Sequence, residues 1–279
     1  MTSATRVRLT QHLIPKNLVS AFIYRVARSE IGWLKKPLIE WFARTYRVDL
    51  SEAEEQNLER YPTFNAFFTR ALKAGARPLA GDEDTVVAPA DGVVTEFGTI
   101  EQGRLLQAKG RHYDLAALLG EDVPELAGGE FLTIYLAPHN YHRVHMPLGA
   151  TLTRTRYLPG ERFSVSVATA AVIDRLFCRN ERVVCRFDTA HGPMAVVLVG
   201  ALNVSSISTI NRGEILSGKA QHWMEDPPLT LERGAELGRF NMGSTVVLLF
   251  GPGVVRWDTD LSPGTAVMMG RALGRAVGR

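Results

Sequence analysis

The stretch that organises this chain is residues 237–250, which read LGRFNMGSTVVLLF. Its second half is a run of β-branched and apolar residues, which is typical of a buried strand. A flexible glycine and a hydroxyl residue, Gly243 and Ser244, stand directly before this strand. They put a potential nucleophile beside a peptide carbonyl, although Gly-Ser-Thr alone is also common turn chemistry. The rest of the chain decides between these interpretations.

Composition and charge restrict the class of protein. The 279 residues are 46% hydrophobic, enough to bury one large core or two modest ones. Residues 1–50 hold nine Lys or Arg and three Asp or Glu, a balance of +6, so the remainder of this +3 chain carries −3. The basic N-terminal end predicts an anionic partner. No stretch resembles a membrane span or a signal peptide, so we expect a protein that stays in the cytoplasm.

The N-terminal residues have a helical pattern. Apolar side chains recur at helical spacing over residues 12–47, while Lys36, Arg44 and Arg47 lie mostly away from the second apolar stripe. Two interpretations require this same pattern. The helices either pack on a core, or they form an interfacial anchor with the apolar face in lipid and the cations near anionic headgroups.

Short helices are predicted after this region. Ser51 and Glu54 have the form of a capping box, which predicts a helix near residues 52–60. Thr63 is expected to cap another short helix, and Asp114 is expected to cap a third that ends at residue 119.

From residue 85 onward, the pattern is that of short strands bounded by Gly, Pro, Asp or Asn. Residues 188–193 are expected to connect a hairpin. The predicted fold class is α+β: basic, membrane-associating amphipathic helices over residues 1–50 and a β-rich catalytic domain over residues 51–279.

Two further runs carry unusual chemistry. Asp91, in the run APADG, could bond its own turn or could orient a histidine and fix its tautomer. The run APHNYHRVHMP contains His139, His142 and His145 at spacings of three, which indicates metal binding or proton transfer. A metal site is disfavoured, because no further Cys, Asp or Glu ligands are close in the sequence.

Ser244 can be a nucleophile only if a base takes its proton. Asp91, His145 and Ser244 could form such a set, because triads are defined by geometry rather than by chain order. The Gly-x-Ser-x-Gly elbow of ordinary serine hydrolases does not surround Ser244, so an esterase is disfavoured.

Several separated runs of this chain match one known family. They are PADG at 89–92, YHRVHMP at 141–147, and GRF with GSTV within 238–246. Together with TFNAFF, LQAKG, PGERFSV, NER and GPM elsewhere in the chain, they resemble phosphatidylserine decarboxylase over nearly the whole length. A joint match of several motifs is far more specific than any single one.

The resemblance implies self-processing followed by lipid decarboxylation. Ser244 would attack the carbonyl of Gly243, and cleavage between these two residues would leave a pyruvoyl group in place of the serine. The products would be a β chain of residues 1–243 and an α chain of residues 244–279. Loss of CO₂ from an amino acid requires an electron sink. The pyruvoyl group would supply this sink, with no pyridoxal phosphate and no metal.

The resemblance also implies roles for the acid and the histidines. His145, oriented by Asp91, matches the base of the processing step. His142 matches the acid that protonates the substrate after CO₂ leaves, or the group that positions its carboxylate. His139 has no role in the motif, and Ser166 stands where the family pattern has Asn.

The implied partners are phosphatidylserine, an anionic membrane surface and the chain's own α and β products. We therefore expect a peripheral protein at the cytoplasmic face of the cell membrane, with a homo-oligomeric state and no nucleic-acid partner. Two alternatives stay open. One is a pyruvoyl-dependent decarboxylase of another serine-headgroup lipid, and the other is a non-catalytic, membrane-peripheral β protein in which Gly243-Ser244 is only a turn.

Overall fold

The computed structural model of the protein describes residue 5 and residues 16–201, 206–216, 218–241 and 244–278. Most of the segment before residue 16, and Gly243 of the predicted cleavage site, lie outside these described residues. The described helices are α1 (Lys16–Ala27), α2 (Gly32–Tyr46), α3 (Phe64–Phe68), α4 (Leu115–Leu119), α5 (Val167–Ala170) and α6 (Leu176–Arg179), with 3₁₀ turns at Leu58–Arg60 and Pro124–Leu126.

Helix α2 packs against α3 through an aromatic cluster centred on Phe42, and Ala27 at the end of α1 is buried in the same core. The Phe42 ring lies 5.1 Å from the Phe64 ring and 5.8 Å from the Phe68 ring, both at steep angles. Edge-to-face contacts of this kind add to the burial energy of aromatic side chains. Thr63 caps α3 as predicted, because its hydroxyl accepts a hydrogen bond from the Ala66 N–H at 3.1 Å.

The helix predicted near residues 52–60 is wrong apart from its last turn. Glu54 N–H donates to the Ala71 carbonyl at 3.0 Å, and Lys73 N–H donates to the Glu52 carbonyl at 2.8 Å. Pairing with this distant segment takes the backbone groups that a helix would use, so tertiary contacts override the local capping pattern.

The described strands cover most of the chain after residue 85. They are β1 (Thr85–Val87), β2 (Gly92–Thr99), β3 (Arg104–Ala108), β4 (Arg111–Asp114), β5 (Glu130–Leu136), β6 (Arg143–His145), β7 (Ala150–Leu158), β8 (Arg182–Thr189), β9 (Gly192–Gly200), β10 (Ile207–Thr209), β11 (Gly213–Ile215), β12 (Gln221–Leu231), β13 (Glu236–Phe240), β14 (Ser244–Phe250), β15 (Val255–Trp257), β16 (Ala266–Val267) and β17 (Ala272–Ala276).

Eight of these strands form one antiparallel sheet in the order β12-β7-β8-β9-β14-β5-β2-β16. Strand β14 lies inside this sheet between β9 and β5, and all seven of its residues are buried. The predicted hairpin joins β8 to β9, with Asp188 opposite Pro193. The predicted helix after Asp114 is α4, although the Asp114 side chain makes no capping hydrogen bond.

A four-stranded sheet, β11-β10-β13-β6, carries the residues that lead up to β14. The α+β class is therefore confirmed, with helices first and a β-rich body after them. The domain boundary at residue 50 stays a prediction. The aromatic cluster crosses this point in the sequence, because Phe42 packs on Phe64 and Phe68. None of the helices in the described ranges is long and apolar enough to cross a bilayer.

Candidate active site

Ser244 is the first residue of β14, and its side chain is fully buried. Sheet pairing places it between Leu136 on β5 and Gly200 on β9. Its hydroxyl has no hydrogen-bond partner among the described residues, and neither has the neighbouring hydroxyl of Thr245. Leaving a buried polar group unpaired costs about 1–3 kcal/mol. Among the residues that the structure describes, no hydrogen bond offsets this cost at the start of β14.

Asn241 holds the chain shortly before Ser244. Its side-chain amide donates to the hydroxyls of Ser206 at 2.8 Å and Ser208 at 3.0 Å. Its side-chain oxygen accepts from the Asn65 amide at 3.1 Å. Because Asn241 is itself buried, these bonds leave its side chain little freedom, and they position the end of β13 near the predicted cleavage site.

His142 is fully buried and stacks on the Phe68 ring, with ring centroids 4.0 Å apart. Its Nε2 lies 3.4 Å from the Pro138 carbonyl, while its Nδ1 has no partner among the described residues. Burial, assisted by the positive charge of Arg70, lowers the pKa of His142 to about 3. His142 is thus a neutral imidazole at physiological pH, and Nδ1 can accept a proton if Nε2–H faces the carbonyl.

His145 ends β6, and both of its ring nitrogens have partners. Nδ1 lies 2.8 Å from the Gly234 carbonyl and Nε2 lies 3.0 Å from the Tyr141 hydroxyl. A carbonyl only accepts hydrogen bonds, so we assign the ring proton to Nδ1 and the lone pair to Nε2. Burial lowers the pKa of His145. The neutral tautomer that results is the form that a general base requires.

Asp91 is held by an ion pair rather than by a histidine. Arg77 Nε donates to Asp91 Oδ1 at 3.0 Å, and Arg77 Nη2 donates to Asp91 Oδ2 at 2.7 Å. The backbone N–H of Met269 donates to the same Oδ1 at 2.8 Å. The contact that we predicted between Asp91 and His145 needs correction, since no hydrogen bond joins them in the described part of the chain. The Gly234 carbonyl occupies the place beside His145 Nδ1.

The sheet register nevertheless brings Asp91 and Ser244 to the same end of the large sheet. Val93 lies opposite Tyr135, which in turn lies opposite Thr245. Asp91 precedes Val93 by two residues, so it leaves the sheet at the end where Ser244 begins β14. At a strand spacing of about 4.8 Å, their strands are ~10 Å apart.

His142 lies just before β6 and His145 ends it, and β6 pairs with β13. The Phe240 N–H donates to the His142 carbonyl at 3.0 Å, whereas His145 lies opposite Glu236. Along β13, His142 therefore lies at the end nearer to Ser244. No hydrogen bond among the described residues joins Ser244 to either histidine, so their catalytic roles stay predictions.

Sequence reasoning missed Arg77, Asn241 and the contact of Tyr141. Tyr141 belongs to the histidine run, so its proximity to His145 had a local signal. Arg77 had none, because its pairing with Asp91 depends on how two separate segments meet. The departure at Ser166 has a structural explanation: its hydroxyl accepts from the Thr169 N–H at 3.4 Å and caps α5, a role that Asn and Ser fill equally well.

The site combines a buried hydroxyl, two neutral imidazoles and a buried ion pair. Such a set can move protons to and from a nucleophile at a place shielded from water. In the described ranges, no three His, Cys, Asp or Glu side chains come together in a way that could hold a metal ion.

Comparison with known proteins shows what the chain as a whole is similar to. A family model described as phosphatidylserine decarboxylase matches residues 64–275, and a second model, described as PSD, matches residues 8–47. A phosphatidylserine decarboxylase proenzyme of Ectopseudomonas mendocina is 51% identical over 277 residues, covering 96% of this chain and 97% of the relative.

A proenzyme of the same name from Pseudomonas aeruginosa is 50% identical over 274 residues, covering 95% of this chain and 94% of the relative. The corresponding proenzyme of Pseudomonas entomophila is 50% identical over 275 residues, with 95% and 96% coverage. Alignments of this length span both the helical part and the β-rich body. The chain belongs to the phosphatidylserine decarboxylase family.

Proposed function

We propose that this chain converts phosphatidylserine to phosphatidylethanolamine with a pyruvoyl group that it generates from Ser244. Its family and the proenzyme names of its relatives support the reaction and the need for processing. They favour this reaction over the two alternatives that the sequence left open. The observation that carries the assignment to Ser244 is its buried hydroxyl at the start of a strand inside the sheet, which no described residue pairs by a hydrogen bond.

The proposed processing begins when Ser244 Oγ loses its proton and attacks the carbonyl carbon of Gly243. The peptide bond becomes an ester, with the Ser244 nitrogen now a free amine. A base then removes the Ser244 Cα proton and the Cβ–Oγ bond breaks, so that Oγ leaves in the carboxylate of Gly243. The enamine that remains at the new N-terminus tautomerises to an imine. Hydrolysis then releases ammonia and leaves a ketone at the new N-terminus.

His145 is the proposed base, because its Nε2 carries the lone pair and its Nδ1 is fixed by Gly234. The Tyr141 hydroxyl bonded to Nε2 offers a route for the proton. Asp91 acts on His145 indirectly. Its ion pair with Arg77 fixes the turn that contains Asp91. The Pro89 carbonyl of that turn accepts a hydrogen bond from the backbone N–H of His145 at 2.8 Å. Asp91 is accordingly a positioning residue for His145.

The start of β14 suits a reactive carbonyl. Ser244 is buried, and the nearby segment supplies His142, whose Nδ1 is also buried and unpartnered among the described residues. A pyruvoyl group at position 244 would supply a carbonyl for the substrate amine and a sink for the electron pair left by CO₂. His142 is the proposed group that holds the substrate carboxylate or delivers the proton that replaces it. Either role requires a proton on Nδ1, and a substrate carboxylate beside the ring would favour that protonated form.

The two chains are expected to stay together after cleavage. Strand β14 belongs to the α chain, residues 244–279, and is hydrogen-bonded on both sides to strands of the β chain. Two backbone ladders and a fully buried strand therefore replace the lost peptide bond as the link between the chains. A homo-oligomer stays a prediction.

The helices α1 and α2 are the proposed membrane contact. Four of their large apolar side chains are strongly exposed: Leu18 (73%), Phe22 (68%), Trp33 (78%) and Trp41 (56%). A further apolar groove of about 290 Å³ lies beside them, with Ile23 and Leu38 in its lining. Exposed apolar faces on basic amphipathic helices bind the surface of anionic bilayers. We therefore place the protein at the cytoplasmic face of the cell membrane as a peripheral protein.

The Ser244→Ala variant tests the assignment directly. The wild-type chain should resolve into residues 1–243 and 244–279 on a denaturing gel and by intact mass. The variant should stay whole and release no CO₂ from phosphatidylserine. Ser262→Ala removes an exposed hydroxyl from the same α chain and should cleave normally. A wild-type chain that stays whole after long incubation, or a variant that cleaves, would refute the proposal.

A further inference from the structure

Arg70 is a buried cation without a carboxylate partner. It follows α3 directly and is only 5% exposed. Its Nη2 donates to the His139 carbonyl at 3.3 Å, and its guanidinium lies 5.7 Å from the Phe67 ring centroid. Among the described residues, its Nε has no hydrogen-bond partner and no Asp or Glu forms a salt bridge with it. Asp91 and Asp49 act on its charge only from beyond salt-bridge distance, and a neutral carbonyl and a ring do not balance it.

A charge in this position needs an explanation. Burial lowers the pKa of Arg70, yet arginine stays protonated in proteins. An uncompensated buried ion costs several kcal/mol even after relaxation of its surroundings. The ordinary solution is an anion held close to the guanidinium.

Two further arginines face the same space. Arg70, Arg143 and Arg239 line one cavity of about 400 Å³, which we call the arginine cavity. Arg143 and Arg239 share the carboxylate of Glu236, at 2.8 Å and 3.6 Å. Three guanidinium groups therefore surround the cavity with one shared carboxylate between two of them.

Two more carboxylates lie at the wall of the arginine cavity. Glu54 is exposed to solvent, and Glu55 pairs with Arg60 at 3.5 Å. Neither forms a salt bridge with the three arginines among the described residues. The buried part of the cavity is thus cationic.

Two of the three arginines are linked to segments that carry candidate active-site residues. Through His139, Arg70 holds the loop that carries His142. Arg239 lies on β13, five residues before Ser244 in the sequence. The substrate of the proposed reaction carries one phosphodiester, whose oxygens suit planar guanidinium donors.

We infer that the arginine cavity binds a phosphate-type anion, with Arg70, Arg143 and Arg239 as its donors. The anion is either the phosphodiester of the lipid headgroup or free phosphate. Only the first of these two sources rests on the proposed function. The existence of the anion site itself does not depend on the proposed function.

Binding is tested by calorimetry on the full chain, with inorganic phosphate and with glycerophosphoethanolamine as separate probes. Arg239→Gln is the principal variant, because this side chain is 41% exposed and its loss should leave the fold intact. We expect the Kd for the bound probe to rise roughly tenfold. Arg70→Lys keeps the charge but loses the planar fork, and should weaken binding by a smaller factor. Arg104→Gln, at an exposed strand elsewhere, should have no effect.

The two probes separate the sources of the anion. Binding of both, together with a roughly tenfold higher KM for phosphatidylserine in Arg239→Gln at an unchanged kcat, supports the headgroup. Binding of phosphate alone with an unchanged KM supports a free-phosphate site. Unchanged affinities in both arginine variants, or no binding of either probe, would overturn the inference. Failure of Ser244→Ala to block cleavage would refute the proposed function and leave these affinities untouched.

Discussion

Strand β14 and the helices α1 and α2 are both rich in apolar side chains, but they bury them to very different extents. Every residue of β14 is buried between two neighbouring strands. Helices α1 and α2 leave Phe22 68% exposed and Trp33 78% exposed. Since burial of apolar surface contributes about 25 cal/mol per Å², the sheet obtains this stabilisation within the chain, whereas the exposed side chains of the helices do not.

The polar groups show the reverse. The exposed cations of α1 and α2 are solvated or paired, as Lys36 is with Glu59 at 2.9 Å. The sheet instead buries the hydroxyl of Ser244, which has no hydrogen-bond partner among the described residues. The helices thus expose apolar side chains, and the sheet buries a polar one. This difference separates the proposed membrane contact from the candidate active site.

The largest expected effect is on the rate of self-cleavage, which should depend on the candidate active site and not on the exposed face of the helices. His145→Ala should slow self-cleavage at least ~100-fold, because it removes the proposed base. Trp33→Ala should leave the cleavage rate within about twofold, as expected for a surface substitution away from the chemistry. Both rates are measured from gel time courses of freshly synthesised precursor.

His142→Ala divides the histidine roles in the same experiment. It should still cleave at least in part but should lose decarboxylation. Equal loss of cleavage in the two histidine variants would show that this division is wrong.

The second effect concerns stability. Leu248→Ala in β14 should lower the free energy of unfolding by about 2–5 kcal/mol, because it opens a cavity in a fully buried strand. Trp33→Ala should change it by less than about 0.5 kcal/mol, because this side chain is mostly exposed. Urea unfolding of both variants in the uncleavable Ser244→Ala chain makes the measurement. A similar loss at both positions would contradict the contrast between the two regions.

The third expected effect is on vesicle binding and tests whether the exposed face of α1 and α2 contacts the membrane. Phe22→Ser with Trp33→Ser should weaken binding to anionic vesicles at least ~10-fold, because each buried large apolar side chain contributes about 1.5–3 kcal/mol. Met224→Ser is the matched control: this side chain is 58% exposed on β12, and its loss should not change vesicle binding. Deleting residues 1–47 is a poorer test, since it also removes Phe42 from the aromatic cluster. Unchanged flotation of the double variant would exclude this face as the membrane contact.

The smallest expected effect is a pH dependence of the free energy of unfolding that arises from the buried His142. His142 has a folded-state pKa of about 3, so the unfolded chain binds a proton near pH 6.5 that the folded chain does not bind. Its contribution to stability is therefore present above about pH 6.5 and lost as the pH falls, by about 1.4 kcal/mol between pH 7.5 and 5.5. His142→Gln in the Ser244→Ala chain should show a correspondingly shallower acid dependence in urea unfolding. An identical pH profile would contradict a neutral, buried His142.

Local features of the fold could be predicted because their causes are local. The cap at Thr63 and the hairpin at residues 188–193 each depend on residues a few positions apart, and both are confirmed. The helix near residues 52–60 fails for the opposite reason. Its capping pattern is present, but pairing with residues 71–73 takes its backbone groups, and no local pattern signals that pairing.

The sequence by itself determined the α+β class, the family and the position of Gly243-Ser244, the proposed cleavage site, before a buried strand. These follow from residue types and short-range spacing, which the chain carries wherever it folds. Only the tertiary structure decided which groups touch. It pairs Asp91 with Arg77 instead of His145, places Gly234 at the His145 ring, and brings Arg70 to a cavity shared with Arg239. Such pairings arise between segments far apart in sequence, where the distance between two atoms depends on the packing of the whole molecule.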